Sequence, residues 1–210
     1  MNRSGSAAVT GRPEIGTRLG AVATAVYWHV ANKDELIELV VDEVYGEMEV
    51  PEVDDPASWR EAAATCARSL RSMILRHPWM VSVLDQVGLT HLGPNMMRLS
   101  DRMLALFEAG GFALVEADQA MKTVIAYVLG MTGGEAAVLT RLAGGDQNER
   151  EWMEGLRPSA EGAAQAHPRL RELYAAYRDH DPEQNREENF TYGLDRVLDG
   201  LQARLGSPAG

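Results

Sequence analysis

Apolar residues in this chain recur every three or four positions, and no run of alternating apolar and polar β-branched residues interrupts them, so its segments can bury a continuous stripe only as helices. Leu36, Leu39, Val40 and Val44 form one stripe, and Trp59, Ala62, Cys66, Leu70 and Met73 form a second. Phe190, Leu194, Val197, Leu198, Leu201 and Leu205 form a third, with Gly193 and Gly200 beside it. The expected fold class is all-α. At 210 residues and 45% hydrophobic content, there is material for one large domain or for a small domain joined to a larger one.

Punctuation places the elements. Residues 1 to 14 are rich in Gly, Ser and Ala and carry no usable period. Asn32 followed by Glu35 has the form of a capping box and predicts a helix from about Lys33 to Met48. The segment PEVDDP, Pro51 to Pro56, stops it and marks the expected boundary between a domain at 1–50 and another at 51–210. Helices are expected from Ser58 to about His77, around Met80 to Val87, and from Asn95 to Ala109, the last closed by Gly110 and Gly111. The most apolar helix covers 114–142, with an interruption expected at Gly133 and Gly134. GGDQNEREWMEG at 144–155 has the composition of a mobile loop anchored by Trp152 and Met153. Two further helices, about 159–178 and 186–205, are separated by the polar stretch DHDPEQNRE.

Charge and cysteine content narrow the function classes. The net charge of −11 argues against a protein that coats nucleic acid, whose affinity rests on Lys and Arg neutralising phosphates. The charge is unevenly spread: residues 1–33 hold Arg3, Arg12, Arg18 and Lys33 against Glu14 alone, a balance of +3 that leaves −14 for the rest. That asymmetry suits a protein presenting one end to DNA, and equally an ordinary acidic cytosolic protein. Cys66 is the single cysteine, so an intramolecular disulfide and a cysteine zinc site are excluded, and a reducing cytoplasm fits. No stretch is read as apolar enough to cross a bilayer, and no membrane partner is expected.

The informative stretch is RLGAVATAVYWHVANKDELIELV, Arg18 to Val40. Leu19, Gly20, Thr24, Ala25, Tyr27, Trp28, His29, Asn32 and Lys33 together resemble the second half of the helix-turn-helix of the tetracycline-repressor (TetR) family. HPWM at 77–80, HLGPNMMRL at 91–99, YVLGMTGGEAA at 127–137 and FTYGLDRVLDGLQARL at 190–205 resemble that family's C-terminal domain at lower specificity. The resemblance implies a helix-turn-helix followed by a helical ligand-binding and dimerisation domain. Small side chains at Thr24 and Ala25 let a recognition helix approach base edges, Tyr27 and His29 can donate to phosphates, and Lys33 adds a charge at the next helix start. Trp28 belongs to the same segment, although a tryptophan there more often packs than reads DNA. Val22 and Ala23 stand where the family places a capping Ser or Thr and then a Pro, and a missing cap costs about 1 kcal/mol. The family's first helix is also expected to be missing here, with a seam near Pro13 to Gly16, because 19 residues precede Gly20.

For the larger domain the resemblance implies an effector pocket and a twofold interface. Soft side chains gather in the middle helices, and Met80, Leu84, Met96, Met103, Tyr127 and Met131 are expected to line a pocket for an apolar or aromatic effector, with Glu135 either as its polar anchor or facing solvent. Phe190, Gly193, Leu194, Val197 and Leu201 are expected to meet a second copy of the chain in a four-helix interface, although so wide a stripe could also bury within its own subunit. His91 is the histidine nearest to the family's metal-associated position, but metal binding does not transfer to it, and no cofactor is expected.

An enzyme is not expected. The chain lacks a Gly-rich phosphate loop, a Gly-x-Ser-x-Gly turn and a His-Glu-x-x-His pair, and its five histidines are scattered. Two readings stay open. One is a repressor binding a palindromic operator as a homodimer and released by a small effector; the other is a TetR-like small-molecule-binding protein that has lost DNA binding.

Overall fold

The computed structural model describes residues 33–81, 83 and 93–206. Among them the chain is all-α, with no strand. The chain divides into two compact units, Met1–Val41 and Asp42–Gly210.

Helix α1, Lys33–Tyr45, spans that division. The division therefore falls inside a helix, ahead of the Pro51–Pro56 break where composition placed it. Asp42 explains why its side of the line belongs to the larger unit. Its carboxylate accepts from the backbone amides of Asn95 at 3.2 Å and Met96 at 2.9 Å. Those are two of the amides that a helix leaves without partners at its N-terminus. Tyr45 and Val50 are buried in the same unit, and Arg102 donates to the Val50 carbonyl at 2.6 Å.

The larger unit is built around α4, Leu114–Ala143, which packs against α2 (Trp59–Arg76), α3 (Pro94–Ala109) and α7 (Pro182–Leu205). Helix α2 also touches α3 and α7. Asp55 caps the single turn Pro56–Ser58 that leads into α2, accepting from the Ala57 amide at 2.9 Å. At the end of α3, Gly111 takes φ +100, the Phe112 amide reaches the Phe107 carbonyl at 3.2 Å and the Gly111 amide the Glu108 carbonyl at 2.9 Å. This is a Schellman closure, and the glycine relieves the Cβ clash of a left-handed residue. A Cβ on neighbouring Gly110 would come within 2.6 Å of the Trp59 side chain, so that glycine is set by packing. Trp59, Phe107 and Phe112 form an aromatic cluster with centroid separations of 5.2 to 6.0 Å.

Helix α4 runs unbroken through Gly133 and Gly134. Each glycine costs a helix about 1 kcal/mol, but Val128, Thr132 and Ala136 on the buried face hold the segment in register on both sides of the pair. By length and composition α4 is also long and apolar enough to cross a membrane, contrary to the sequence reading. Its Ala117, Ala120, Val124 and Val128 face is buried inside the protein.

Of the segment read as a loop at 144–155, residues 144–148 are non-helical, whereas 149–155 are the start of α5, Glu149–Ala163. Asn148 accepts from the Glu151 amide at 2.9 Å and Glu151 accepts from the Asn148 amide at 3.2 Å, a capping box like the one inferred at Asn32. Pro158 lies inside α5, and a separate helix α6, Pro168–Ala176, follows. Asp181 caps α7 through the Glu183 and Gln184 amides, with Pro182 as its first residue, so that helix begins four residues before the expected start.

Candidate functional site

A cavity of about 490 Å³ opens between the end of α1, the segment after it, and helices α2, α3 and α4. Its wall is Tyr45, Met48, Leu70, Met96, Leu99, Ser100, Met103, Met121, Lys122, Ile125, Ala126 and Leu129. The composition follows from the helix faces that meet there. Leu70 comes from the buried stripe of α2, Met96, Leu99 and Met103 from one face of α3, and Met121, Ile125 and Leu129 from successive turns of α4. Four methionines in one wall can repack around several ligand shapes.

Three polar side chains interrupt the apolar wall. Tyr45 is buried, and that burial pushes its phenol pKa up, so the hydroxyl keeps its proton. Ser100 contributes a second hydroxyl. Lys122 stands at the exposed edge, paired with Asp118 one turn back on α4 at 2.7 Å. Among the described residues no Asp or Glu lines the cavity.

Beyond the far half of α4 lies a partly buried ionic chain. Arg71 donates from Nε and Nη2 to the two oxygens of Glu135, each at 3.1 Å, and its Nη1 reaches Glu187. Glu135 also accepts from Nε of Arg186 at 2.9 Å, and Arg186 Nη1 reaches Glu149 at the start of α5. Burial opposes the charge on Arg71 and on Arg186, but the hydrogen bonds to the carboxylates outweigh it and raise both guanidinium pKa values. Glu135, Glu149 and Arg186 border a shallower cavity of about 210 Å³ together with Met131 and Phe190.

The residues expected to form one pocket are therefore separated. Met96 and Met103 lie in the large cavity, while Met131 and Glu135 border the small one. Met80 is fully buried without lining either. Tyr127 turns its hydroxyl to the Phe190 carbonyl at 2.7 Å. Leu84 and His91 lie outside the described residues, as do Thr24, Ala25, Tyr27, Trp28 and His29; Lys33 begins α1. On α7, Phe190, Leu194 and Leu198 are each about 1% exposed, covered by their own chain. Gly193 faces Tyr127 so closely that a Cβ there would lie 2.4 Å from the hydroxyl oxygen. Val197 and Leu201 are half-buried at the edge of that face, and Tyr192 and Gly200 are exposed beyond it. Sequence reasoning missed Tyr45 and Lys122. The available signal was a polar group set within an apolar period: Tyr45 directly follows Val44, and Lys122 lies between Met121 and Ile125.

Residues 51–205 match the family model of the tetracyclin repressor-like C-terminal domain. An HTH-type transcriptional regulator of Saccharopolyspora erythraea is 34% identical over 123 residues, 59% of this chain and 51% of that protein, so the match spans about half of the relative's length. The class A tetracycline repressor from transposon 1721 of Escherichia coli is 28% identical over 208 residues, 97% of this chain and 86% of that one. Among solved structures, the Streptomyces coelicolor TetR family protein ActR in complex with actinorhodin superposes with a TM-score of 0.69 at 26% identity, covering 95% of this chain and 90% of that chain. With three quarters of its length inside the repressor-like domain, the chain belongs to the TetR family of transcriptional regulators.

Proposed function

We propose that this protein is a ligand-responsive repressor that binds a palindromic operator as a homodimer and is released from it by a small apolar or aromatic effector. The observation that carries the reading is the methionine-walled cavity, whose wall includes Tyr45 at the end of α1 and Met48 just beyond it. Helix α1 begins at Lys33, directly after the Tyr27-Trp28-His29 segment assigned to DNA reading. A ligand that touches the last turn of α1 has a differential interaction with any two positions of that helix, which is the requirement for linkage between effector and operator. The structure of the relative ActR with actinorhodin bound supports a liganded state for this fold.

The homodimer reading keeps Val197 and Leu201 and shifts its centre to the outer face of α7 at Tyr192 and Gly200, because the Phe190 face is already occupied. Replacing Tyr192 and Gly200 by Glu should then give a monomer in sedimentation.

The test of the whole reading is selection of duplexes from a random pool by the intact protein. An inverted repeat should be enriched, its affinity should fall steeply with salt, and Lys33→Ala should weaken all duplexes alike. Enrichment of no duplex would overturn the repressor reading in favour of a small-molecule-binding protein of the same family.

A further inference from the structure

Buried Tyr45 and half-buried Tyr127 treat their hydroxyls differently. Tyr127 satisfies its hydroxyl on the Phe190 carbonyl at 2.7 Å. Tyr45, 7% exposed, has no hydrogen-bond partner for its hydroxyl among the described residues, and it lines the 490 Å³ cavity. Thr132 Oγ1 is the fully enclosed side-chain oxygen without a partner among the described residues, so the Tyr45 hydroxyl stays open to the cavity it lines, and the contents of that cavity supply its partner.

The rest of the wall indicates what that partner is. Among the described residues Lys122 is its one charged member, Ser100 adds a hydroxyl, and the neighbouring carboxylate of Asp118 is engaged with Lys122 at 2.7 Å and does not line the wall. A cation buried among Met96, Leu99, Met103 and Leu129 would lose its hydration without recompense. A group that accepts hydrogen bonds, and that tolerates or prefers a positive charge nearby, meets no such cost. Because burial keeps the Tyr45 phenol protonated, it serves as a donor throughout the neutral range.

Resting on the effector cavity proposed above, we propose that the Tyr45 hydroxyl is the polar anchor of that cavity. It donates to an acceptor oxygen, of the carbonyl, carboxylate or sulfonate kind, on an otherwise apolar ligand that is neutral or anionic and not cationic. Tyr45 thereby sets ligand specificity, and Lys122 biases it toward anions from the rim.

Matched fluorescent probes test this on the full chain. 8-Anilinonaphthalene-1-sulfonate carries acceptor oxygens and a negative charge, and N-phenyl-1-naphthylamine presents the same rings without them. Tyr45→Phe removes one atom that no described residue engages, so the fold should be retained. It should weaken the sulfonate probe about tenfold, as expected for a hydrogen bond to a charged group, and leave the neutral probe within about twofold. Lys122→Gln should weaken the sulfonate probe by about threefold in the same selective way. Equal effects of Tyr45→Phe on both probes, or none on either, would overturn the anchoring role. Ala126→Trp, at the exposed rim, should block both probes; if both still bind with wild-type affinity, they bind elsewhere and the cavity reading itself falls.

Discussion

Arg71 and Glu135 meet in two parallel N–H···O bonds, both 3.1 Å, with the guanidinium also resting 4.7 Å above the Phe190 ring. Their side chains are 11% and 9% exposed, so each is the other's main compensation for leaving water. Glu135→Leu alone should destabilise the protein by about 1–3 kcal/mol, because Arg71 and Arg186 both lose the carboxylate they share and keep only Glu187 and Glu149. The double variant Arg71→Met with Glu135→Leu should recover much of that loss in chemical denaturation. A double variant as unstable as the single one would show that the pair contributes more than mutual neutralisation.

Gly193 and Tyr127 are a second coupled pair. Alanine normally gains about 1 kcal/mol over glycine inside a helix, yet a Cβ at 193 would stand 2.4 Å from the Tyr127 hydroxyl oxygen and 2.8 Å from the ring. Gly193→Ala should therefore lower stability by about 1–3 kcal/mol through overpacking. Adding Tyr127→Ala should turn the same change into a gain, and thermal melts of the four proteins would read the coupling.

Thr132 offers the opposite case. Its hydroxyl is fully buried on α4 and has no hydrogen-bond partner among the described residues. Valine has nearly the same shape and carries no polar atom to bury, so Thr132→Val should raise stability by about 1 kcal/mol and the melting temperature by a few degrees. A drop would mean that the hydroxyl is satisfied in solution.

Burial pushes the Cys66 thiol up from 9.0 to about 11, the nearby Arg102 opposing it only in part. The folded state thus holds its proton where an unfolded chain releases it, and stability is lost as pH rises between about 9 and 11. Cys66→Ala should flatten that alkaline limb. In native protein at pH 8, iodoacetamide should leave Cys66 unmodified over hours, and brief unfolding should release full reactivity.

Where an apolar period coincided with a capping signal, the sequence was read within a few residues. Trp59 to Arg76 and Pro94 to Ala109 are examples, since Gly110 and Gly111 close the latter by a local mechanism. The Asn148 to Glu151 box carried the same signal as Asn32 to Glu35, yet the polar composition around it suggested a loop, and composition is the weaker physical argument. The apolar stripe of α7 was visible, but its partner was not. Whether Phe190 meets α4 or a second subunit depends on contacts distant in sequence, and only the fit of Tyr127 against Gly193 reveals it. The cavity was half legible for the same reason: Met96 and Met103 share a helix face, but Tyr45 joins them only through the grip of Asp42 on the first amides of α3.

The helices α5 and α6 bury none of their own residues. They are held by surface pairs such as Arg150 with Asp181 and Arg178 with Glu161, and by the Glu149 end of the ionic chain. Exposed pairs of this kind contribute about 0–1 kcal/mol each, far less than the burial that secures α2, α4 and α7. In an isolated subunit the molecule therefore has two clocks. Backbone amides from 149 to 176 should exchange with deuterium through local opening within seconds to minutes, while those around Val124, Val128 and Leu194 wait for the whole bundle to come apart.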